Sequence, residues 1–285
     1  MKGKPQYINL RGRLLDLSTP RVMGIINVTP DSFYRGSRFT NDAGIINAAS
    51  KMLEEGADII DVGGYSSRPG ADHISETEEK KRVLGAIRLI ARERPDAVIS
   101  VDTFRADIAR EAVEECGAHM INDISGGEAD SRMFDVVGEL NVPYVMMHMK
   151  GNPRTMQDNP VYTDVVAEIL SWFGKRIFRL RSAGVKDIII DPGFGFGKSI
   201  DHNFGILRSL SDFSIAGLPV MVGLSRKSMI WKTLGITSDQ SLNGSTVLNS
   251  VALLNGADIL RVHDVREAVE AIRLTARLGN IKMFP

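Results

Sequence analysis

The sequence predicts a single-domain (β/α)8 TIM barrel, and three observations carry that expectation. Eight short runs rich in Ile, Val, Leu and Met recur along the chain. They are nearly continuous in apolar residues rather than alternating, as in strands buried on both faces of a parallel sheet. Longer amphipathic stretches separate them, several ending at a glycine just before the next run, where a left-handed C-cap is wanted. Eight such units fit a closed barrel of about 250 residues better than an open doubly wound sheet, and 285 residues suffice for one.

In chain order, the first 21 residues, with Ile8-Asn9-Leu10-Arg11-Gly12-Arg13-Leu14, read as a short two-stranded flap ahead of the barrel. The strands are expected at 22–28, 58–64, 97–103, 119–125, 143–149, 187–193, 219–225 and 258–264. Helices over 43–55, 106–116, 165–183 and 246–255 stop at Gly56, Gly117, Gly184 and Gly256. Ser75-Glu76-Thr77-Glu78 has capping-box spacing and opens a helix running to Arg94. With no linker, low-complexity tract or composition break, residues 1–285 are expected to form one domain, the barrel proper spanning about 22–280.

Composition narrows the function. Apolar residues make up 43% and charged residues 25%, the profile of a folded chain rather than a disordered one. Lys plus Arg equals Asp plus Glu at 35 each, so no bulk field favours nucleic acid or an anionic membrane. Cys116 is the single cysteine, which excludes an intrachain disulfide and a cysteine metal cluster. The N-terminal segment lacks a signal peptide's apolar core, and no run approaches the roughly 18 apolar residues of a membrane span. A cytoplasmic location is expected.

The functional signal lies in what ends each strand. Asn27, Asp61, Asp102, Asn122 with Asp123, His148, Asp191, Ser225-Arg226-Lys227, and Arg261 with His263 stand at the C-terminal ends. A barrel places its active site at that rim. One Asp there could simply cap the next helix, as Asp102 could cap the helix from Arg105. A polar residue on all eight strands is not explained by capping. Asp102, Asn122 and Asp191 suit the donor-rich edge of a heteroaromatic ring. Arg68, Arg226, Lys227, Arg261 and His263 are read as cationic donors for phosphate or carboxylate. The site therefore wants a polar heterocycle attached to, or meeting, an anion. Met146, Met147 and Met149 read as core.

The run Asp191-Pro-Gly-Phe-Gly-Phe-Gly-Lys198 is not a phosphate loop. A Walker A motif ending at Gly197-Lys198-Ser199 would need glycine where Pro192 stands, and Lys198 occupies the last place of G-x-G-x-x-G. A rim loop that lets a flat ligand approach closely fits better.

Read in order, these strand ends resemble the dihydropteroate synthase family over essentially the whole chain. The matching segments are Gly24-Ile-Ile-Asn-Val-Thr-Pro-Asp-Ser-Phe33, Gly63-Gly-Tyr-Ser-Ser-Arg-Pro-Gly70, Ser100-Val-Asp-Thr103 and Ile121-Asn-Asp-Ile-Ser125. His148-Met-x-Gly-x-Pro-x-Thr-Met-Gln157, the glycine-rich run, Gly223-x-Ser-Arg-Lys-Ser228 and Arg261-Val-His-Asp264 follow in family order. Any one of these motifs is weak; eight in order are specific.

The resemblance implies a transferase of folate biosynthesis that condenses 6-hydroxymethyl-7,8-dihydropterin pyrophosphate with p-aminobenzoate by an SN1-like route. It implies Mg²⁺ as cofactor, sulfonamides as competitive inhibitors, small-molecule substrates as partners, and a homodimer. Asn27 would bind the metal with the pyrophosphate. Arg68, Arg261 and His263 would hold pyrophosphate oxygens, and Asp102, Asn122, Asp191 and Lys227 the pterin. Ser67, Arg68, Pro69, Phe196, Lys227 and Ser228 would form the p-aminobenzoate pocket. Arg68, Lys227, Arg261 and His263 would carry the chemistry, by charge stabilisation rather than a nucleophilic side chain.

Three positions depart from the family pattern. Arg35 stands where an Asp is usual, Ser67 where Thr is usual, and Tyr65 where Glu is usual. Because the Asp is thought to steady a cationic intermediate, Arg35 keeps a low-activity or non-catalytic pterin-binding paralogue as the alternative. A pterin-dependent methyltransferase barrel is a second, against which the Ser66-Ser67-Arg68-Pro69 and Ser225-Arg226-Lys227-Ser228 stretches argue.

Overall fold

A computed structural model describes residues 4–28, 41–66, 74–151, 156 and 160–278. Two short strands, β1 (Tyr7–Leu10) and β2 (Arg13–Asp16), pair antiparallel ahead of the barrel. Eight parallel strands follow: β3 (Arg21–Asn27), β4 (Ile59–Gly63), β5 (Ile99–Asp102), β6 (Met120–Asp123), β7 (Tyr144–Met147), β8 (Ile188–Asp191), β9 (Met221–Val222) and β10 (Ile259–Val262). Their spatial order is β8-β7-β6-β5-β4-β3-β10-β9, and a parallel bridge between Ile190 and Val220 brings the two ends of the sheet together. The eight expected strands are all present. Most are shorter than their apolar runs, because the last residues of each leave the ladder to form the rim.

The helices α1 (Asp42–Glu54), α2 (Glu76–Glu93), α3 (Ala106–Glu115), α4 (Met133–Leu140), α5 (Val165–Ser182), α6 (Ile200–Arg208), α7 (Ser228–Leu234), α8 (Leu242–Leu254) and α9 (Val265–Thr275) connect and cover the strands. Gly56, Gly117, Gly184 and Gly256 all have positive φ between 88° and 103°, as the C-cap reading requires. Ser75 caps α2 by accepting from the Glu78 N–H at 3.2 Å. The helix expected at 246–255 starts four residues earlier, at Leu242.

Side chains two residues apart on a strand share a face, and this period sorts the lumen into layers. At the N-terminal end lie Met23, Ile59, Val98, Met120, Val145, Ile189, Met221 and Ile259, a single apolar cluster. Ile8, Leu10 and Leu17 pack into the same cluster, so the two-stranded N-terminal flap closes the floor of the barrel. Two residues further along each strand the lumen holds Ile25, Asp61, Ser100, Asn122, Met147, Asp191, Gly223 and Arg261. Between barrel and helices runs the larger outer core, which includes Val62, Val101, Ile121, Ile190 and Val262.

Candidate active site

Above the apolar floor opens a cavity of about 550 Å³. Asn27, Asp102, Asn122, Asp191, Phe196, Lys227, Ser228, Arg261 and His263 all line it. These are the candidate residues from six of the eight strand ends or the loops beyond them. The sequence reading thus converges on one volume. Ser67, Arg68, Pro69 and Arg35 lie outside the described residues.

A charged cluster forms the deep wall. Arg261 donates from Nε to Asp61 Oδ2 at 2.7 Å and from Nη2 to Asp102 Oδ2 at 2.6 Å. Asn122 donates from Nδ2 to the same Asp61 oxygen at 3.0 Å. Asp61 is fully buried, so it acts from behind the cavity wall, fixing two residues that face the cavity. Burial raises the Asp102 carboxyl to about 7, against the pull of Arg261 and with the repulsion of Asp61, Glu79 and Asp123. Asp191 ends β8 with Oδ1 accepting from the Gly193 N–H at 2.7 Å, and its carboxyl is also raised by burial.

Lys227 follows β9 and places Nζ 4.2 Å from the centroid of the Phe196 ring, a cation–π contact. Burial and the neighbouring Arg261 push its pKa down to about 8, against the attraction of Asp191 and Asp102. Around Phe196 an apolar wall gathers Ile124, Met147 and Met156, with Phe104 and Met149 packed against it. The cavity therefore has an acceptor-rich wall, a cationic wall and an apolar ledge beneath an ammonium.

His263 departs from its sequence reading as a cation. Burial, then Arg261, Arg226 and Lys227, push its pKa down to about 3, so it offers a neutral imidazole. Its Nδ1 and its backbone N–H both lie 3.2 Å from Ser225 Oγ.

Four other strand-end polar residues support the site, Arg226 from the cavity lining and three from outside it. Arg226, expected among the cationic donors, grips Asp264 with Nε and Nη2, each at 2.9 Å, and donates to the Ser238 and Asp239 carbonyls. It does so from a left-handed backbone, φ 56°, which turns consecutive side chains apart so that Lys227 reaches Phe196. Asp123, next to Asn122, faces the opposite side of β6 and accepts from Tyr144 Oη, Ser125 and the Gly127 N–H. His148 sits behind the glycine-rich loop with Nδ1 3.0 Å from Lys198 Nζ. Asp61 is the fourth.

The cavity also includes residues that sequence reasoning missed. Trp231 and Lys232 line it from α7, three and four residues beyond Ser228 and hence on the same helical face. That spacing was available in the sequence. Met147, read as core, faces the cavity, whereas its neighbour Met146 belongs to the outer core. Tyr65 lines the cavity as well and packs edge-on against Phe104, with centroids 5.0 Å apart. Among the described residues no cluster of three or more His, Cys, Asp or Glu side chains could hold a metal ion. No helix of the described residues is long and apolar enough to cross a membrane.

Comparison with known proteins places this geometry. Residues 23–263 match the family of pterin-binding enzymes. The dihydropteroate synthase of Escherichia coli strain K12 is 44% identical over 266 residues, covering 93% of each chain. The dihydropteroate synthase of Yersinia pestis, solved with a sulfonamide drug, superposes with a TM-score of 0.92 at 41% identity, covering 95% of this chain and 98% of that one. The Xanthomonas albilineans dihydropteroate synthase with 4-aminobenzoic acid gives 0.87 at 40% identity, covering 98% and 99%.

Proposed function

Because the chain belongs to the family of pterin-binding enzymes, we propose that it works as a dihydropteroate synthase. It joins 6-hydroxymethyl-7,8-dihydropterin pyrophosphate to p-aminobenzoate, giving 7,8-dihydropteroate and pyrophosphate. The observation that carries the reading is the single cavity with acceptors on one wall, cations on another and an apolar ledge under Lys227. A pterin has a donor-rich edge, its pyrophosphate is an anion, and an aminobenzoate has a flat ring ending in a carboxylate. Each partner has a wall of matching chemistry.

In this reading Asp102, Asn122 and Asp191 accept from or pair with the pterin ring's polar edge. The C–O bond to pyrophosphate breaks heterolytically, and the leaving group takes both electrons. The resulting pterin-methyl cation sits near Asp102 and Asp191, whose carboxylates favour positive charge. The arylamine nitrogen then donates its lone pair to that carbon and sheds a proton to solvent or pyrophosphate. Lys227 and Phe196 hold the arylamine, with Ser228 and, from the family pattern, Ser67, Arg68 and Pro69 completing its pocket. Arg261 and Arg68 supply charge to the leaving group, and His263 supplies a neutral N–H. No nucleophilic side chain is needed.

Magnesium enters as part of the proposal. Asn27 offers one carboxamide oxygen at the cavity wall, and a hard cation of this kind takes one or two protein ligands with substrate phosphates and water. That donor set fits an ion carried chiefly by the pyrophosphate, whose charge the ion would neutralise. A cytoplasmic location, a homodimer and competitive inhibition by sulfonamides complete the reading.

A coupled assay for pyrophosphate release tests it, with and without p-aminobenzoate and Mg²⁺. Release that requires the pterin pyrophosphate, the amine and the metal is the expected result. Tight pterin binding with no amine-dependent release would establish the non-catalytic alternative instead. Release independent of Mg²⁺ would remove the metal from the mechanism. Sedimentation velocity tests the dimer.

A further inference from the structure

Lys198, at the end of the glycine-rich loop, is 2% exposed. Its ammonium has three protons and makes three contacts: the Phe196 carbonyl at 2.9 Å, the His148 carbonyl at 3.2 Å and His148 Nδ1 at 3.0 Å. None of these partners is a carboxylate. Burying an ammonium against neutral groups is unfavourable, and a Met of similar length would fill the volume without that penalty. What Met could not supply is three directed bonds that tie residue 196 to residue 148.

The loop needs such a tie. Gly193, Gly195 and Gly197 all have positive φ, at 72°, 83° and 64°. Between them only Phe194 and Phe196 carry side chains. A Cβ on Gly193 would lie 2.0 Å from the His148 carbonyl oxygen, and one on Gly197 2.2 Å from that of Lys150. At its glycines the loop therefore rests backbone on backbone against 148–150, while Phe194 and Phe196 pack into separate apolar clusters. Tyr162 pins the far end, donating from Oη to the Gly197 carbonyl at 2.9 Å. Asp191 meets this arrangement at the loop's first glycine, where its Oδ1 accepts from the Gly193 N–H at 2.7 Å, five residues before Lys198. It is the last residue of β8, and its carbonyl accepts from the His148 N–H at 2.9 Å within the sheet pattern.

We propose that Lys198 is a positioning residue for the arylamine: by clamping the Phe196 carbonyl to His148 it sets the Phe196 ring beneath Lys227, while the pterin carboxylate Asp191 is anchored on β8 and meets the loop at Gly193, away from the clamp. The inference rests on the reading of Phe196 and Lys227 as the arylamine pocket. It separates two ligands that share one cavity, because disturbing the clamp moves a loop and leaves the strand in place.

The experiment is a kinetic double-mutant cycle with p-aminobenzoate and pterin pyrophosphate. Lys198→Met is expected to raise KM for p-aminobenzoate about tenfold, equivalent to about 1.4 kcal/mol. The calorimetric Kd for pterin pyrophosphate should stay within about twofold of the parent, a shift too small for a lost hydrogen bond. Phe196→Ala should raise the arylamine KM alone, and adding Lys198→Met to it should bring no further rise. An equal rise from Lys198→Met in both backgrounds, or an equal loss of pterin affinity, would overturn the positioning role. If Phe196→Ala leaves the arylamine KM unchanged, the pocket assignment fails first, and the inference with it. Should Lys198→Met not fold, Tyr162→Phe probes the same loop from its other end. It is expected to give a rise of about threefold that also vanishes in the Phe196→Ala background.

Discussion

Asp61 on β4 and Arg261 on β10 are 200 residues apart in sequence and 2.7 Å apart in the structure, joined through Asp61 Oδ2 and Arg261 Nε. Asp61 never reaches the cavity, yet its one oxygen also accepts from Asn122. It links a residue assigned to the pterin with one assigned to the leaving group.

Removing that carboxylate's charge should be felt in the fold and in both ligands. Breaking a buried pair by altering one partner typically costs about 3 kcal/mol or more. Asp61→Asn is therefore expected to lower the denaturation midpoint substantially and to weaken pterin and pyrophosphate binding together. Unchanged stability in urea titrations, or loss of one ligand alone, would show that the hub does not couple them.

Pterin affinity should depend on pH with a definite sign. Burial raises Asp102 to about 7, so below that pH the free protein holds it protonated and unable to accept from the ring. Affinity is expected to rise with pH through about 7, by up to about tenfold per unit on the acid side, with proton release approaching one near the acid end. Calorimetry in buffers of different ionisation heat reads that proton directly. Lys227, held down at about 8, runs the other way: its charge, and with it the grip on anions, fades as pH rises through 8. Turnover should peak between the two values. For stability, the raised Asp102 pKa means that the folded state binds the extra proton. This group's contribution therefore falls as pH rises from about 4 to 7. A pterin Kd flat from pH 6 to 8 would dismiss the assignment of Asp102.

Asp191→Asn tests the pterin edge with little change of shape. The amide oxygen can keep the bond from the Gly193 N–H. That leaves an NH2 group, a donor, where the ring's own donors need an acceptor. The expected loss is about 2–4 kcal/mol, or roughly 30- to 1,000-fold in Kd. A variant that bound pterin as well as the parent in calorimetry would remove Asp191 from the site.

Arg35 carries a prediction from sequence alone, since it lies outside the described residues. An acid is usual at this position in the family, and at an effective dielectric of about 20 a unit charge some 6 Å away contributes roughly 3 kcal/mol. Arg35→Asp is expected to raise turnover and to leave the Kd for pterin pyrophosphate nearly unchanged. A fall in turnover would reassign Arg35 to the departing pyrophosphate.

Much of the fold was legible because its signals are local. A strand buried on both faces must be apolar along its length, a helix that turns back must find a left-handed residue, and both constraints are written within a few neighbouring positions. The rim was legible for the same reason: a polar residue closing an apolar run stands out without any knowledge of its neighbours. That is how Asn27, Asp102, Asn122, Asp191, Lys227, Arg261 and His263 were found before the cavity that unites them.

Tertiary structure decided which member of each polar pair does what. Asn122 faces the cavity and Asp123 its Tyr144 partner, because adjacent strand residues point to opposite faces and register sets which is which. Lys227 reaches Phe196 and Arg226 grips Asp264, because the chain turns through a left-handed backbone at Arg226 itself. His263 is neutral because burial beside Arg261 disfavours a second cation. Lys198 became a clamp only when the fold laid residues 193–198 against 148–150. Residue type and spacing determined the strands, the turns and the chemistry available at the rim. Charge state, partner and facing depend on groups brought together from distant parts of the chain, and only closure of the barrel sets them.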